Sequence, residues 1–162
     1  MQSNKLLFEW RQKIRIFHIC HAKLSAFNYR LGRIIGLTAT ILSAIVATTV
    51  FTALTRSENT ILLILAGIIS IIAVIFSASH DFLKLPELAL RHSQAVNLYG
   101  KLRRELEIDL NQMDDNEVTK EVLNKISNEW SELDKKVPPV PNRLYQKIKK
   151  EVKKEELSIG SK

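Results

Sequence analysis

The sequence predicts an all-α membrane protein, in which a two-transmembrane helical hairpin is extended by long cytoplasmic amphipathic helices. Three observations predict this fold class. Two apolar segments of nearly equal length flank one short polar connection, charged residues are dense on both sides of the pair, and the remaining apolar residues recur at helical spacing. Glycine and proline are scarce, with 5 and 4 residues in a chain of 162.

The two apolar segments are residues 34–54 and 60–79, which hold 21 and 20 uncharged residues. At about 1.5 Å per residue, each helix is about 30 Å long and matches the hydrocarbon thickness of a bilayer. Neither segment keeps the polar face that a helix at the surface of a soluble domain has. We therefore predict two transmembrane helices; the alternative is a soluble helical bundle, in which the polar connection is a surface turn.

The distribution of charge predicts the topology. The net charge of +7 comes mostly from residues 1–33, where seven Lys and Arg stand against one Glu, so no broad nucleic-acid-binding face and no direct nucleic-acid partner are expected. Residues 55–59 offer only Arg56, which Glu58 offsets. The basic residues that flank the spans are Lys23, Arg30, Arg33, Lys84 and Arg91. Both termini should therefore be cytoplasmic, with residues 55–59 as an extracytoplasmic turn.

Small side chains form a narrow stripe along each predicted span, at spacings of 4, 3 and 4. In lipid, such stripes let helices approach closely. The simplest interpretation is that the two stripes face each other across the hairpin; the alternative is that one packs against a neighbouring subunit. The predicted packing residues are Gly36, Thr40, Ser43 and Ala47 in the first span and Ala66, Ser70, Ala73 and Ser77 in the second.

Three threonines near the outer end of the first span, Thr48, Thr52 and Thr55, lie on a different face. They are candidates for lining an aqueous pore in an oligomer. The alternative is that each hydroxyl bonds to a carbonyl of its own helix. Arg56 and Glu58 are candidates for the pore mouth, although a plain hairpin turn requires nothing more of them. Neither span contains a charged residue that would serve a proton relay.

The N-terminal helix, residues 1–33, carries apolar residues at alternating spacings of 3 and 4, and we expect it to continue into the first span. Residues 80–137 begin with a second such seam. We expect the two seams to pack side by side, antiparallel, with the polar seam residues fixing register and partner number. The first seam is Leu7, Trp10, Ile14, Phe17, His21, Leu24, Asn28 and Leu31. The second is Leu88, His92, Ala95, Tyr99, Leu102, Leu106, Asp109 and Met113.

The last part of the chain predicts two more helices. Asp114 or Asp115 is expected to cap the first of them. Its apolar face is Val118, Val122, Ile126, Trp130 and Leu133. Residues 138–162 begin with a proline break and continue as a basic amphipathic helix with the thin apolar stripe Leu144, Ile148 and Val152. Such a helix lies on anionic lipid, docks on a partner, or stays solvated at the end of the chain.

No catalytic, metal or cofactor site is predicted. Cys20 is the only cysteine, so no intrachain disulfide exists. A zinc site at His18, Cys20 and His21 needs ligands from elsewhere, because neighbouring positions on a helix point in different directions. The pair His80 and Asp81 is more consistent with an interfacial cap than with acid–base catalysis for the same reason. With no phosphate loop or nucleophile motif, the chain is not expected to be an enzyme.

The order of a long helix from Trp10, a tight two-span hairpin, the stretch "RHSQAVNLYGKLRREL" and a "PPVP" break resembles the SLATT family of bacterial two-transmembrane effector domains. The resemblance covers about residues 4–150, and its most specific parts are Tyr99 to Glu105 and Pro138 to Pro141. It implies a role in bacterial conflict systems, in which members are encoded beside nucleotide-second-messenger synthases, SLOG-type sensors or reverse transcriptases and are thought to open pores.

The resemblance therefore implies a homo-oligomeric pore-forming effector of the bacterial inner membrane, acting in antiphage defence by abortive infection. A partner protein from the same operon or a nucleotide signal is expected to trigger it. The alternative is a non-conducting membrane anchor or scaffold that recruits a cytoplasmic partner through its helical seams. The family supplies no catalytic residues that could be assigned to this chain.

Overall fold

A computed structural model describes residues 2–55, 60–112 and 120–159. They form five helices and, within these ranges, no strand, which confirms the all-α class. The helices are α1 (Gln2–Thr55), α2 (Thr60–Leu83), α3 (Leu85–Gln112), α4 (Lys120–Lys136) and α5 (Asn142–Ile159). The chain divides into two compact units: a helical unit of Met1–Ser25 and Leu90–Lys162, and a hairpin unit of Ala26–Ala89.

The first helix is continuous over 54 residues, so the expected continuation of the N-terminal helix into the first apolar segment is confirmed. Gly32 does not end it, although a glycine inside a helix costs about 1 kcal/mol relative to alanine. The reason lies in the packing around this position. A Cβ atom at Gly32 would lie 3.2 Å from Cβ of Leu85 and 3.4 Å from Cδ of Pro86, so glycine permits a close approach here.

The second and third helices are separated by one residue, Lys84, whose φ angle of 44° lies in the left-handed region. Its carbonyl oxygen accepts a hydrogen bond of 3.0 Å from the amide of Leu88, in the first turn of α3. Pro86 explains why the break falls here, since proline has no amide hydrogen to continue the hydrogen bonding of α2 but is tolerated in the first turn of a helix. This break was not among the features predicted from the sequence.

In the hairpin unit, the usual burial pattern is inverted. The buried apolar residues along the two apolar segments are the small Ala39, Ala66 and Ala73. Large side chains point outward, among them Ile34, Leu37, Ile41, Phe51, Ile61, Ile64, Ile71 and Val74. Both helices are long and apolar enough to cross a membrane, and their most apolar windows are only 0% and 11% buried. Because the core helix of a soluble bundle would be mostly buried, this pattern argues against the soluble alternative.

In the helical unit, the two predicted seams pack against each other within one chain. Leu7 and Ile14 of α1 share a core with Tyr99 and Leu106 of α3. Arg11 contacts Glu107, whereas His21, which lies further along α1, contacts His92, which lies earlier in α3. The two helices therefore run antiparallel, which confirms the predicted packing. The same core includes Ala95, Leu102, Ile126 and Leu133, with Trp10, Phe17, Val122 and Trp130 at its edge. The predictions for Met113, Asp114, Asp115 and Val118 lie outside the described residues.

The C-terminal helix corrects an expectation. Its apolar stripe is the predicted one, but Ile148 and Val152 are buried against Ile16 and Cys20 of α1. Two ion pairs flank this contact, Arg15 to Glu155 at 2.9 Å and Lys23 to Glu151 at 2.8 Å. The basic face of the helix is exposed, but its apolar stripe is covered and is not free to contact lipid. Its partner is the chain's own α1, which carries a second apolar face beside its seam.

Candidate functional site

The small residues of the two spans meet in the hairpin unit. A groove of about 310 Å³ is lined by five of the eight predicted packing residues: Ser43, Ala47, Ser70, Ala73 and Ser77. The hydroxyl of Ser43 donates to the carbonyl oxygen of Ala39 at 2.9 Å. Residues from both stripes therefore line one groove of the hairpin.

The other packing residues lie nearby in the same unit. Ala66 is buried, with 3% of its surface exposed. Thr40 is exposed, and its hydroxyl donates to the carbonyl oxygen of Gly36 at 3.0 Å. A Cβ atom at Gly36 would lie 3.4 Å from the ring of His80, so this glycine packs against a residue just beyond the second span.

The candidate pore-lining threonines are bonded locally. The hydroxyl of Thr48 donates to the carbonyl oxygens of Ala44 and Ile45, at 3.1 and 2.9 Å, and Thr52 donates to the carbonyl oxygen of Thr48 at 2.8 Å. Both side chains are exposed. A hydroxyl that donates to its own helix still presents acceptor lone pairs, so this bonding is compatible with a polar surface. The side chain of Thr55, and Arg56 and Glu58 entirely, lie outside the described residues.

Two polar seam residues meet in the helical unit. Nδ1 of His21 lies 2.8 Å from Nδ1 of His92, although 71 positions separate them in the chain. Both are buried, with 0% and 3% of their surface exposed. Tyr99 stacks on the ring of His21 at a centroid distance of 5.3 Å, and Phe17 stacks on Tyr99 at 5.6 Å. The third polar seam residue, Asn28, is buried within the hairpin unit.

The environment of the histidine pair disfavours charge. Burial, which has the largest effect, and the positive charges that His92 and His18 can carry together lower the pKa of His21 to about 4. Burial also lowers the pKa of His92. At neutral pH both rings are therefore neutral, and one Nδ1 donates its proton to the other. Among the described residues, Nε2 of His21 has no hydrogen-bond partner.

A second polar contact, which is partly buried and was not predicted from the sequence, joins α3 to α4. The hydroxyl of Tyr99 donates to Oδ1 of Asp134 at 2.6 Å, and Nε1 of Trp130 donates to the same oxygen at 3.1 Å. Burial and this hydrogen bond raise the pKa of Tyr99 well above its usual range. The spacing of four between Trp130 and Asp134 was a usable signal, because such residues lie on one face of a helix.

The other titratable candidates do not form a reactive site. Cys20 is fully buried in the core that joins α1 to α5, and burial raises the pKa of its thiol to about 11, so the thiolate that reacts is scarce. Nδ1 of His80 lies 3.5 Å from Oδ1 of Asp81, whose side chain is 82% exposed. Across the described ranges, no group of three or more His, Cys, Asp or Glu is placed to hold a metal ion.

Comparison with known proteins adds one finding. A family model described as SMODS and SLOG-associating 2TM effector domain family 4 matches residues 5–161, which is nearly the whole chain. No curated protein and no solved structure matches the chain. The description specifies two transmembrane segments, and the two exposed apolar helices of the hairpin unit supply them. The chain is accordingly a membrane protein.

Proposed function

Because the chain belongs to the SMODS and SLOG-associating two-transmembrane effector domains, the SLATT family that the sequence resembles, we propose that it is an oligomeric pore-forming effector. In this proposal it depolarises or permeabilises the bacterial inner membrane during abortive infection. A nucleotide signal or an operon partner triggers it, the partner being a nucleotide synthase, a sensor or a reverse transcriptase. Both termini are cytoplasmic, and residues 55–59 form the extracytoplasmic turn.

The observation that carries the proposal is the inverted hairpin. The buried residues along its two apolar segments are alanines, while large apolar residues such as Ile41, Phe51 and Ile64 point outward. Two helices enclose no aqueous path by themselves, so conduction requires several copies around a shared axis. The exposed hydroxyl face of Thr48 and Thr52 is one polar surface that the described part of the first span offers to such a path.

The test is inducible expression, with and without the operon partner, in cells that carry a membrane-potential dye. Wild-type protein should depolarise the cells when its partner is active. The double variant Thr48→Val and Thr52→Val removes two hydroxyls while keeping side-chain shape, and it should reduce conduction without reducing membrane insertion. If cells remain polarised and viable with the partner active, the pore proposal is wrong.

Thr49 provides the matched control. Its hydroxyl also donates to the carbonyl oxygen of Ile45, at 2.7 Å, but the residue is rotated about 100° from Thr48 around the helix. Thr49→Val therefore removes a similarly bonded hydroxyl from a position about 80° away from the centre of the Thr48 and Thr52 face, and it should reduce conduction less than the double variant. An equal loss in both variants would mean that hydroxyl loss acts on the helix itself and that Thr48 and Thr52 do not line a path.

The alternative is a non-conducting anchor that recruits a cytoplasmic partner. The observation that favours it is a groove of about 410 Å³ between α3 and α4, lined by Leu98, Leu102 and Leu133 together with charged residues such as Lys101 and Glu129. The seams themselves offer a partner little apolar surface, because their apolar residues are largely buried within the chain. Co-purification of the operon partner, with no change of membrane potential under any condition, would favour this function.

A further inference from the structure

A third groove, which the proposed function does not use, lies between α1 and α5 in the helical unit. It has a volume of about 540 Å³. Its polar lining consists of Glu9, Gln12, Lys13, Tyr145, Lys149 and Lys153, above a floor of Ile16 and Val152. This volume is within the range of about 300–1,000 Å³ typical of small-molecule sites.

The charges around this groove are not balanced. Three lysines line it against a single glutamate, which leaves two net positive charges. Elsewhere along the contact of α1 with α5, cations and carboxylates are matched, as in Arg15 with Glu155 and Lys23 with Glu151. No ion pair within 4.0 Å joins Lys13, Lys149 or Lys153 to a carboxylate in the parts of the chain that the structure describes.

We propose that this groove binds a phosphate-bearing anion of about nucleotide size. Lysine ammonium groups bind phosphate as point charges, and here they reach one space from two helices. The Tyr145 hydroxyl adds a neutral hydrogen-bonding group. Glu9 disfavours weakly charged anions, since the ligand must carry enough negative charge to outweigh it.

Binding should strengthen the docking of α5. The anion contacts Lys13 on α1 and Lys149 and Lys153 on α5. Its negative charge attracts the lysines of both helices, which repel each other when the groove is empty. A ligand that binds only the folded state stabilises it in proportion to the logarithm of its concentration. The proposal concerns binding alone and does not depend on conduction through the hairpin.

The test uses the full chain purified in a neutral detergent. Three probes are titrated by calorimetry: ATP, inorganic pyrophosphate, and short-chain phosphatidylglycerol as a lipid headgroup. We expect salt-sensitive binding of at least one probe and a ligand-dependent rise of the thermal midpoint. The triple variant Lys13→Gln, Lys149→Gln and Lys153→Gln should lose about tenfold or more in affinity, as the sum of three modest charge contacts.

The matched control is Lys147→Gln, Lys150→Gln and Lys154→Gln, which removes the same charge from exposed positions of α5 that do not line the groove. It should bind like the wild type. Binding of ATP or pyrophosphate identifies a soluble ligand, whereas binding of phosphatidylglycerol alone identifies a lipid headgroup as the source of the phosphate. Absence of binding by all three probes, or an equal loss in both triple variants, overturns the proposal.

Discussion

The stability of the helical unit should depend on the buried pair of His21 and His92 and on pH. Replacing His92 with Leu removes the group that lies 2.8 Å from Nδ1 of His21. Both ring nitrogens of His21 are then buried without a partner, because Nε2 has none among the described residues. A buried unsatisfied polar group costs about 1–3 kcal/mol, so His92→Leu should destabilise the helical unit by that amount. Replacing both partners with apolar groups should be nearly neutral.

The pH dependence follows from the direction of the pKa shifts. Folding lowers the pKa of His21 from 6.5 to about 4 and also lowers that of His92, so below about pH 6.5 the unfolded chain binds more protons than the folded one. Stability is therefore fully present above pH 6.5 and is lost as the pH falls toward 4. For His21 alone the shift corresponds to roughly 3 kcal/mol. His18 and Tyr99, the other titratable groups beside His21, carry no negative charge that would offset this loss.

Tryptophan fluorescence provides a local assay. The chain has 2 tryptophans, and Trp10 and Trp130 contact each other edge to face at 6.1 Å in the helical unit. Their signal during thermal unfolding therefore reports this unit and not the hairpin. The thermal midpoint of the wild type should decrease when the pH is lowered from 7 to 5. In the double variant His21→Leu with His92→Leu, the midpoint should depend much less on pH. A flat wild-type profile, or an unchanged slope in the double variant, would refute the reasoning.

Three further changes test the packing. Tyr99→Phe removes the donor to Asp134 and should cost about 1–2 kcal/mol of unfolding free energy, measured by tryptophan fluorescence in denaturant. Gly32→Val places side-chain atoms where a Cβ alone is tight and should cost about 1–3 kcal/mol by circular dichroism, whereas Gly67→Val, with open space around it, should not. Ile148→Ala leaves a cavity beneath α5 and should cost about 2–5 kcal/mol, detected as faster proteolysis of that helix; unchanged proteolysis would contradict the docking of α5 on α1.

The sequence predicted those features that depend on periodicity and length. Two uncharged segments of 21 and 20 residues were enough to predict the hairpin, because bilayer thickness sets the length of a span. The alternation of 3 and 4 was enough to predict Leu7, Ile14, Tyr99 and Leu106 as core residues, since the positions in each seam share one face of a helix.

Features that depend on tertiary pairing were less predictable. The contact between His21 and His92 requires the register of two helices that are far apart in sequence, and each seam alone shows only a polar residue. The stripe of Ile148 and Val152 was visible, but an amphipathic helix does not specify what covers it. The break at Lys84 depends on a single backbone angle, for which Pro86 was the only local signal.

The burial of both seams constrains how copies of this chain can associate. A heptad pattern with polar positions such as His21 and His92 is typical of contacts between subunits, yet these two residues bond each other within one chain. An oligomer that preserves this core cannot use the same surfaces. Many large apolar side chains are exposed on the hairpin, where Ile61, Ile71 and Val74 point outward. If copies associate as proposed, we therefore expect their contacts to lie within the membrane and the core of the helical unit to stay intact.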